Sequence, residues 1–292
     1  DVNIVGEFNV AGELWQVKPL LDRLGIRILG SISGDARYRQ VAMAHRANVT
    51  MLVCAKALTN VARGLEERFG IPWFEGSFYG IEDTSNALRT LTRVLVERGA
   101  PADLVDRAEA LIAEEEARTR AALEPYRPRV EGKRVLLYTG GHKTWSVVAA
   151  LQELGMEVVA TSVRKSTEGD KDRIRALTGD DAHMFENMAP KEMYAALRAA
   201  EADVLMSGGR SRFVALKAKV PWIDVNQEKH EAYAGYAGMV ELVRHVDLAV
   251  NNPIWADVRA PAPWDADFPA SGPNTPPGPR LVASDATDFE DC

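Results

Sequence analysis

Short apolar segments alternate with amphipathic helical segments along almost the whole of this 292-residue chain. Residues 49–53 and 134–138 are typical of buried strands, whereas residues 55–69 and about 84–123 have helical periodicity. Parallel strands need a helical crossover between them, so the alternation predicts parallel sheets covered by helices on both faces. The predicted fold class is therefore α/β, with two doubly wound Rossmann-like domains.

Two prolines divide the alternating pattern into two blocks. Pro125 and Pro128 end a long helical run, and a second series of strands and helices follows them. The first predicted domain covers residues 1–125 and the second covers residues 130–258. Residues 259–292 are rich in Pro, Ala, Asp and Ser, so we expect a flexible tail that cannot bury enough apolar surface to order itself.

Charge and hydropathy exclude several classes of protein. The net charge of −7 argues against broad binding of nucleic acid, which requires a basic face. No apolar run approaches the roughly 20 residues of a membrane-spanning helix, and the first residues do not form a signal peptide. We therefore expect a cytoplasmic protein. The chain has no initial Met and opens in a strand pattern, so we also expect it to lack an N-terminal part.

Cys54 lies where a ligand would bind in an open α/β sheet, beyond the carboxyl end of a strand. It follows the strand at residues 49–53 and precedes the helix at residues 55–69. Amide N–H groups and the helix dipole at such a junction favour the thiolate, the form of cysteine that ligates iron. A lone cysteine there is also often a buried small hydrophobic residue. The other cysteine, Cys292, ends the tail and has no expected role.

A glycine pair follows the first strand of the second block. Gly140 and Gly141 precede His142 and Lys143. Paired glycines let the backbone approach a ligand closely, and their N–H groups can face an anion. The spacing matches neither the P-loop nor the dinucleotide-binding fingerprint, so the ligand is not defined by this loop alone.

Arg210 follows a second glycine pair in a similar position after a strand. Its guanidinium suits a carboxylate or an inorganic anion, although a solvated surface arginine is the alternative. The histidines have no metal-ligand spacing, and no hydrolytic triad can be assembled. Together the strand-end residues predict a large anionic ligand with a soft-metal component, bound between the two domains.

A set of short motifs resembles the nitrogenase component 1 family, and within it the scaffold members that build the iron–molybdenum cofactor. The resemblance extends from residue 1 to about residue 264. The motifs are Gly-Asp-Ala-Arg-Tyr-Arg at 34–39, Val-Cys-Ala-Lys-Ala at 53–57, Trp-Phe-Glu-Gly-Ser-Phe-Tyr-Gly at 73–80, Leu-Tyr-Thr-Gly-Gly-x-Lys at 137–143, Asp-Val-Asn-Gln-Glu at 224–228 and Tyr-Ala-Gly-Tyr-x-Gly at 233–238.

The resemblance implies a molecular scaffold that holds an iron–sulfur precursor while molybdenum and homocitrate are added, and then passes the product to apo-nitrogenase. It also implies a heterotetramer with NifN, and contacts with the nitrogenase iron protein and with donor and carrier proteins such as NifB and NifX. Relatives share a permanent [4Fe–4S] cluster with their partner, but the cysteines for it are absent here. The alternatives are a catalytic nitrogenase α subunit or related reductase, and an unrelated two-domain α/β enzyme or sugar-nucleotide binder that uses the glycine loops for phosphate.

The resemblance also assigns roles to individual residues. Cys54 matches the cysteine that ligates the end iron of the nitrogenase cofactor. Gly140 and Gly141 match the loop that packs close to the cluster, and Lys143 matches an arginine at the cofactor. Arg210 falls near a lysine that lies beside homocitrate.

Two positions depart from the family pattern. Asn226 lies at about the place of the histidine that ligates the molybdenum end, and an amide is a poor ligand beside imidazole. A site with one strong ligand should release its product more easily, which favours assembly over catalysis. His142 replaces an apolar residue, and it could contact a cluster sulfide, ligate a metal temporarily or face solvent.

Overall fold

The computed structural model describes residues 1–7, 12, 14–34, 36–179, 181, 183–228 and 230–261, with the backbone alone at residues 7, 55 and 142. Residues Asp1–Trp255 form the first of two units, and this unit contains both sheets. A second unit, Ala256–Cys292, is described only as far as residue 261. The predicted flexible tail therefore lies almost entirely outside the described residues.

The first sheet has the order β2-β1-β3-β4, with every neighbouring pair parallel. Side chains alternate between its faces, so Ile4 packs on one side and Val5 on the other, and both are fully buried. The strands are β1 (Val2–Glu7), β2 (Ile28–Ser33), β3 (Val49–Leu52) and β4 (Trp73–Glu75).

The second sheet has the order β7-β6-β5-β8-β9 and is also parallel throughout. Leu136 faces one apolar cluster, and its neighbours Val135 and Leu137 face another. Both sheets are thus covered on both faces, which confirms the predicted α/β class with two parallel-sheet domains. The strands are β5 (Arg134–Tyr138), β6 (Glu157–Ser162), β7 (Met184–Phe185), β8 (Val204–Ser207) and β9 (Trp222–Asp224).

Helices connect the strands and join the two halves. They are α1 (Leu14–Arg23), α2 (Tyr38–Met43), α3 (Ala55–Phe69), α4 (Ile81–Glu97), α5 (Asp103–Leu123), α6 (Arg127–Val130), α7 (His142–Glu153), α8 (Glu168–Thr178), α9 (Pro190–Ala199), α10 (Arg212–Ala218), α11 (Gly235–Val250) and α12 (Ile254–Arg259). Helix α11 follows the second sheet but packs against α1, α4 and α5, so one apolar core is continuous across both halves. The domain limits at residues 125 and 130 therefore stay a prediction. None of the described helices is long and apolar enough to cross a membrane.

Candidate functional site

Cys54 lies at the topological switch point of the first sheet. The chain steps from β1 to β2 in one direction and then to β3 and β4 in the other, so a crevice opens between the ends of β1 and β3. Cys54 lies two residues after the end of β3 and is the N-cap residue of α3, with extended backbone (φ −139°, ψ 92°). The structure thus places the cysteine where the sequence predicted it.

Gly6, near the end of β1, fixes the position of Cys54. Its backbone has φ of +105°, a conformation that residues with a side chain rarely adopt. A Cβ atom at this position would lie 2.7 Å from the backbone nitrogen of Cys54 and 2.8 Å from its Cβ atom. The two backbones can approach this closely only because residue 6 is glycine.

Gly141 brings the second sheet to the Cys54 sulfur. It is the N-cap residue of α7 with φ of +66°, and a Cβ atom there would lie 3.6 Å from Cys54 Sγ. A larger side chain would therefore fill the space beside the sulfur. The next residue, His142, opens α7, but its side chain lies outside the described part of the chain.

A cleft of about 490 Å³ lies at the switch point of the second sheet, between the ends of β5 and β8. Three exposed basic side chains line it, so the cleft favours an anion. The predicted residues Gly140, Arg210 and Asn226 all lie on its wall, whereas Cys54 and Lys143 do not. The basic residues are Arg164, Lys165 and Arg210.

The side chain of Asn226 is engaged within the wall of this cleft. Thr139 Oγ1 donates a hydrogen bond of 2.5 Å to Asn226 Oδ1. On the other side, a Cβ atom on Gly208 would lie 2.6 Å from Asn226 Nδ2, so the amide is closely packed. The carboxamide oxygen therefore already has a protein partner.

Lys143 is buried in an ion pair. Its Nζ donates to Glu228 Oε1 at 2.6 Å and to the carbonyl oxygen of Val225 at 3.1 Å. Tyr79 donates its phenolic hydrogen to the same carboxylate oxygen at 2.5 Å. The predicted contact of Lys143 with a cofactor thus stays a prediction. Such a contact would require the ammonium group to bind the cofactor in addition to Glu228 and Val225, or to give up these hydrogen bonds.

Sequence reasoning did not select Arg164 and Lys165. Both follow β6, so the strand-end rule that identified Cys54 and Arg210 would have found them. Sequence reasoning also gave no role to Glu228. This residue is buried, and its carboxylate is paired with Tyr79 and Lys143 from distant parts of the chain.

A group of possible metal ligands lies elsewhere, on α11 and the segment before it. Ligand atoms of Glu231, Glu241 and His245 lie within 4.8 Å of one another. The Arg244 guanidinium already pairs with both carboxylates, at 2.8 and 2.6 Å. Both carboxylates are therefore already paired with the Arg244 side chain, and the arrangement fits an ion-pair network better than a metal site.

A second cleft, of about 630 Å³, separates α4 from α7 and α8. Glu153 on α7 accepts hydrogen bonds from the backbone N–H groups of Ile81 and Glu82, at 2.8 and 3.0 Å, and so caps α4. Asp83 lines the same cleft, and burial raises the pKa of its carboxyl to about 7, with help from the negative charges of Glu153 and Glu82.

Asp83→Asn is expected to make the protein more stable at pH 8 by about 2–4 kcal/mol and to change little near pH 4. The folded protein keeps a proton on Asp83 that the unfolded chain loses, so the wild type loses stability as pH rises from about 4 to 7. Urea unfolding across this range measures the effect. The exposed Asp106→Asn provides the control, and equal pH slopes in both variants would contradict the prediction.

Comparison with known proteins defines the family. A model of the family described as nitrogenase component 1 type oxidoreductase matches residues 1–251. The nitrogenase iron-molybdenum cofactor biosynthesis protein NifE of Rhodobacter capsulatus is 68% identical over 96% of this chain and 58% of its own length. The NifE proteins of Bradyrhizobium diazoefficiens and Klebsiella pneumoniae are 62% and 52% identical, over 91% and 90% of this chain. The chain spans about half the length of these curated relatives, 49% and 57% in the last two cases.

Solved structures show the same fold at low sequence identity. A structure described as nitrogenase Cp1 at pH 6.5 matches with a TM-score of 0.78 and 20% identity, over 90% of this chain and 60% of that one. A Mn-bound periplasmic metal-binding protein from Candidatus Liberibacter asiaticus matches with a TM-score of 0.54 and 9% identity, over 85% and 98% of the two chains.

Proposed function

The chain belongs to the nitrogenase component 1 type oxidoreductase family, and we propose that it acts as a scaffold for assembly of the iron–molybdenum cofactor. The names of its relatives support assembly over catalytic reduction of dinitrogen. The observation that carries the proposal is the position of the Cys54 thiol, which lies at a switch point with Gly141 from the second sheet beside it.

The residues around Cys54 fit a metal–sulfur precursor carried as cargo. Cysteine sulfur is the usual protein ligand for iron–sulfur clusters, and Cys54 offers its sulfur at a helix N-terminus. Gly141 adds no side chain that would fill the space beside the sulfur. Gly140 lies in the wall of the basic cleft and is the residue before Gly141, which lies beside the Cys54 sulfur. The positive charge of the cleft suits an anionic cargo.

The side-chain contacts of Asn226 favour release of the cargo over its permanent binding. Its oxygen accepts from Thr139, and its amide nitrogen packs against Gly208, so it makes a poor second ligand. Cargo held by Cys54 alone exchanges more easily than cargo held at both ends. A catalytic subunit needs permanent binding, whereas a scaffold has to transfer its product.

We propose that the basic cleft receives homocitrate when molybdenum is added. Guanidinium and ammonium groups at Arg164, Lys165 and Arg210 can pair with several carboxylates of one organic acid. Arg210→Ala is expected to reduce homocitrate incorporation about tenfold and iron retention less than twofold, because one charge-assisted contact is worth about 1.5–3 kcal/mol. Radiolabelled homocitrate and iron content measure the two effects, with the exposed Lys217→Ala as control. A larger loss of iron than of homocitrate would contradict this role.

The partners follow from the same proposal. We propose that the protein forms a complex with NifN in the cytoplasm, receives its precursor from NifB or a carrier such as NifX, and works with the nitrogenase iron protein. Its product passes to apo-nitrogenase. We propose further that such a complex shares a permanent [4Fe–4S] cluster between the protein and its partner.

A transfer experiment tests the function. The anaerobically purified complex is loaded with an iron–sulfur precursor, molybdate and homocitrate, re-isolated and mixed with apo-nitrogenase. Acetylene reduction by the apo-nitrogenase after mixing is the expected result. Acetylene reduction at nitrogenase-like rates by the loaded complex itself would instead support the catalytic alternative.

A further inference from the structure

A tight turn follows β6 at the edge of the basic cleft. The backbone N–H of Ser166 donates to the carbonyl oxygen of Val163 at 3.0 Å, and the N–H of Val163 donates to the carbonyl oxygen of Phe185 in β7 at 2.8 Å. Val163 is also buried, so the turn is fixed at its base. Arg164 and Lys165 are therefore the two central residues of a hydrogen-bonded turn, and both line the cleft.

Lys165 lies against both glycines that follow β5. A Cβ atom on Gly140 would lie 3.0, 3.4 and 3.5 Å from the Cβ, Cγ and Cδ atoms of Lys165, so the stem of the lysine packs along this glycine. A Cβ atom on Gly141 would lie 3.6 Å from the carbonyl oxygen of Lys165 and 3.6 Å from Cys54 Sγ. One methyl group at residue 141 would thus touch both atoms. Lys165 is therefore a neighbour of the sulfur as well as part of the wall of the basic cleft.

The ammonium group of Lys165 is available to a ligand. Lys165 is exposed, and no ion pair or hydrogen bond joins its side chain to any residue that the structure describes. The contrast is Lys143, which is buried against Glu228. Because the stem of Lys165 already packs on Gly140, the side chain loses less conformational freedom when its ammonium binds an anion.

We propose that Lys165 binds the metal–sulfur core of the cargo as well as the organic acid, an inference that rests on the proposed function. A cluster ligated by Cys54 occupies the space beside the sulfur, where Gly141 leaves room and the Lys165 backbone forms part of the wall. The sulfides of such a cluster accept hydrogen bonds, which an ammonium group donates with the help of its charge. Lys165 thereby connects the thiol with the basic cleft, whereas the role proposed for Arg210 concerns the organic acid alone.

Lys165→Met keeps an unbranched stem on Gly140 and removes only the ammonium group. It should shorten the half-life of bound iron about tenfold and lower homocitrate incorporation by a similar factor, the effect of one charge-assisted hydrogen bond. Lys165→Arg should stay within about threefold of wild type in both measurements, because a guanidinium also forms charge-assisted hydrogen bonds. Arg210→Ala, in contrast, lowers homocitrate incorporation with little effect on iron.

The experiment uses the anaerobically purified complex loaded with an iron–sulfur precursor. The half-life of bound iron after addition of an excess of an iron chelator is measured at about 0.05 M and about 0.5 M salt. Salt screens the contact of an exposed ammonium group, so wild type should lose iron faster at high salt and Lys165→Met should respond less. A packing role alone would leave Lys165→Met like wild type at both concentrations, which would overturn the proposal. Lower homocitrate incorporation with unchanged iron retention would overturn it as well.

Controls separate this inference from the proposed function. Lys217→Met removes an exposed ammonium group from α10, away from the residues that line the cleft, and should match wild type at both salt concentrations. If wild type and Cys54→Ala lose iron equally fast, the proposed function fails and this inference fails with it. If Cys54 holds the iron but Lys165→Met retains it like wild type, only this inference fails.

Discussion

Cys54→Ala is expected to reduce the iron retained after anaerobic loading to the background of protein that was never loaded. Among the residues that the structure describes, Cys54 is the one thiol at a switch point, and it is the strong iron ligand that the proposal assigns to the cargo. The fold should survive, because loss of one buried sulfur atom costs about 1 kcal/mol. Iron content after gel filtration and the midpoint of urea unfolding measure the two effects.

The second cysteine provides the matched control for this substitution. Cys292→Ala removes the same chemical group from the last position of the sequence, and it should retain iron like the wild type. Retention of more than about half of the loaded iron by Cys54→Ala would mean that other ligands hold the precursor. Cys54 would then be only a buried small residue in the core.

Gly6→Ala is expected to destabilise the protein by about 3 kcal/mol or more and to lower iron retention with it. The backbone at residue 6 has φ of +105°, and an added Cβ atom would lie 2.7 Å from the Cys54 backbone nitrogen. The strand end or the start of α3 must move to relieve this contact. Either movement displaces the Cys54 sulfur from Gly141.

A second glycine in the same region separates this effect from the general effect of adding a methyl group. Gly64 lies within α3, and a Cβ atom there would meet no heavy atom within 4 Å. Gly64→Ala should therefore stabilise the protein by about 0.5–1 kcal/mol, because alanine favours the helix. Urea unfolding of both variants measures the difference, and equal stabilities would contradict the close approach of Gly6 to Cys54.

The sequence was sufficient for features that depend on local periodicity. The predicted helix at residues 55–69 and the strand at 134–138 coincide with α3 and β5. The alternation of strands and helices also identified the carboxyl edges of both sheets, and therefore the position of Cys54. These features follow from neighbouring residues, which a single sequence contains in full.

Features that depend on distant residues could not be obtained in this way. Helix α4 begins at Ile81, before the predicted position near residue 84, because Glu153 from the second half caps its N-terminus. Lys143 looked like a group for binding an anion, but its ammonium is paired with Glu228, 85 residues away. In the sequence, nothing near Ile81 indicates the contact with Glu153, and nothing near Lys143 indicates the contact with Glu228.

The central claim is that the Cys54 sulfur ligates the iron of the cargo. Its most direct test replaces Cys54 with selenocysteine, loads the purified complex anaerobically, and records X-ray absorption at the selenium edge. The account predicts an iron atom as a direct neighbour of selenium in the loaded protein, and carbon alone before loading. Carbon as the only neighbour of selenium, while the protein still carries its iron, would contradict the account.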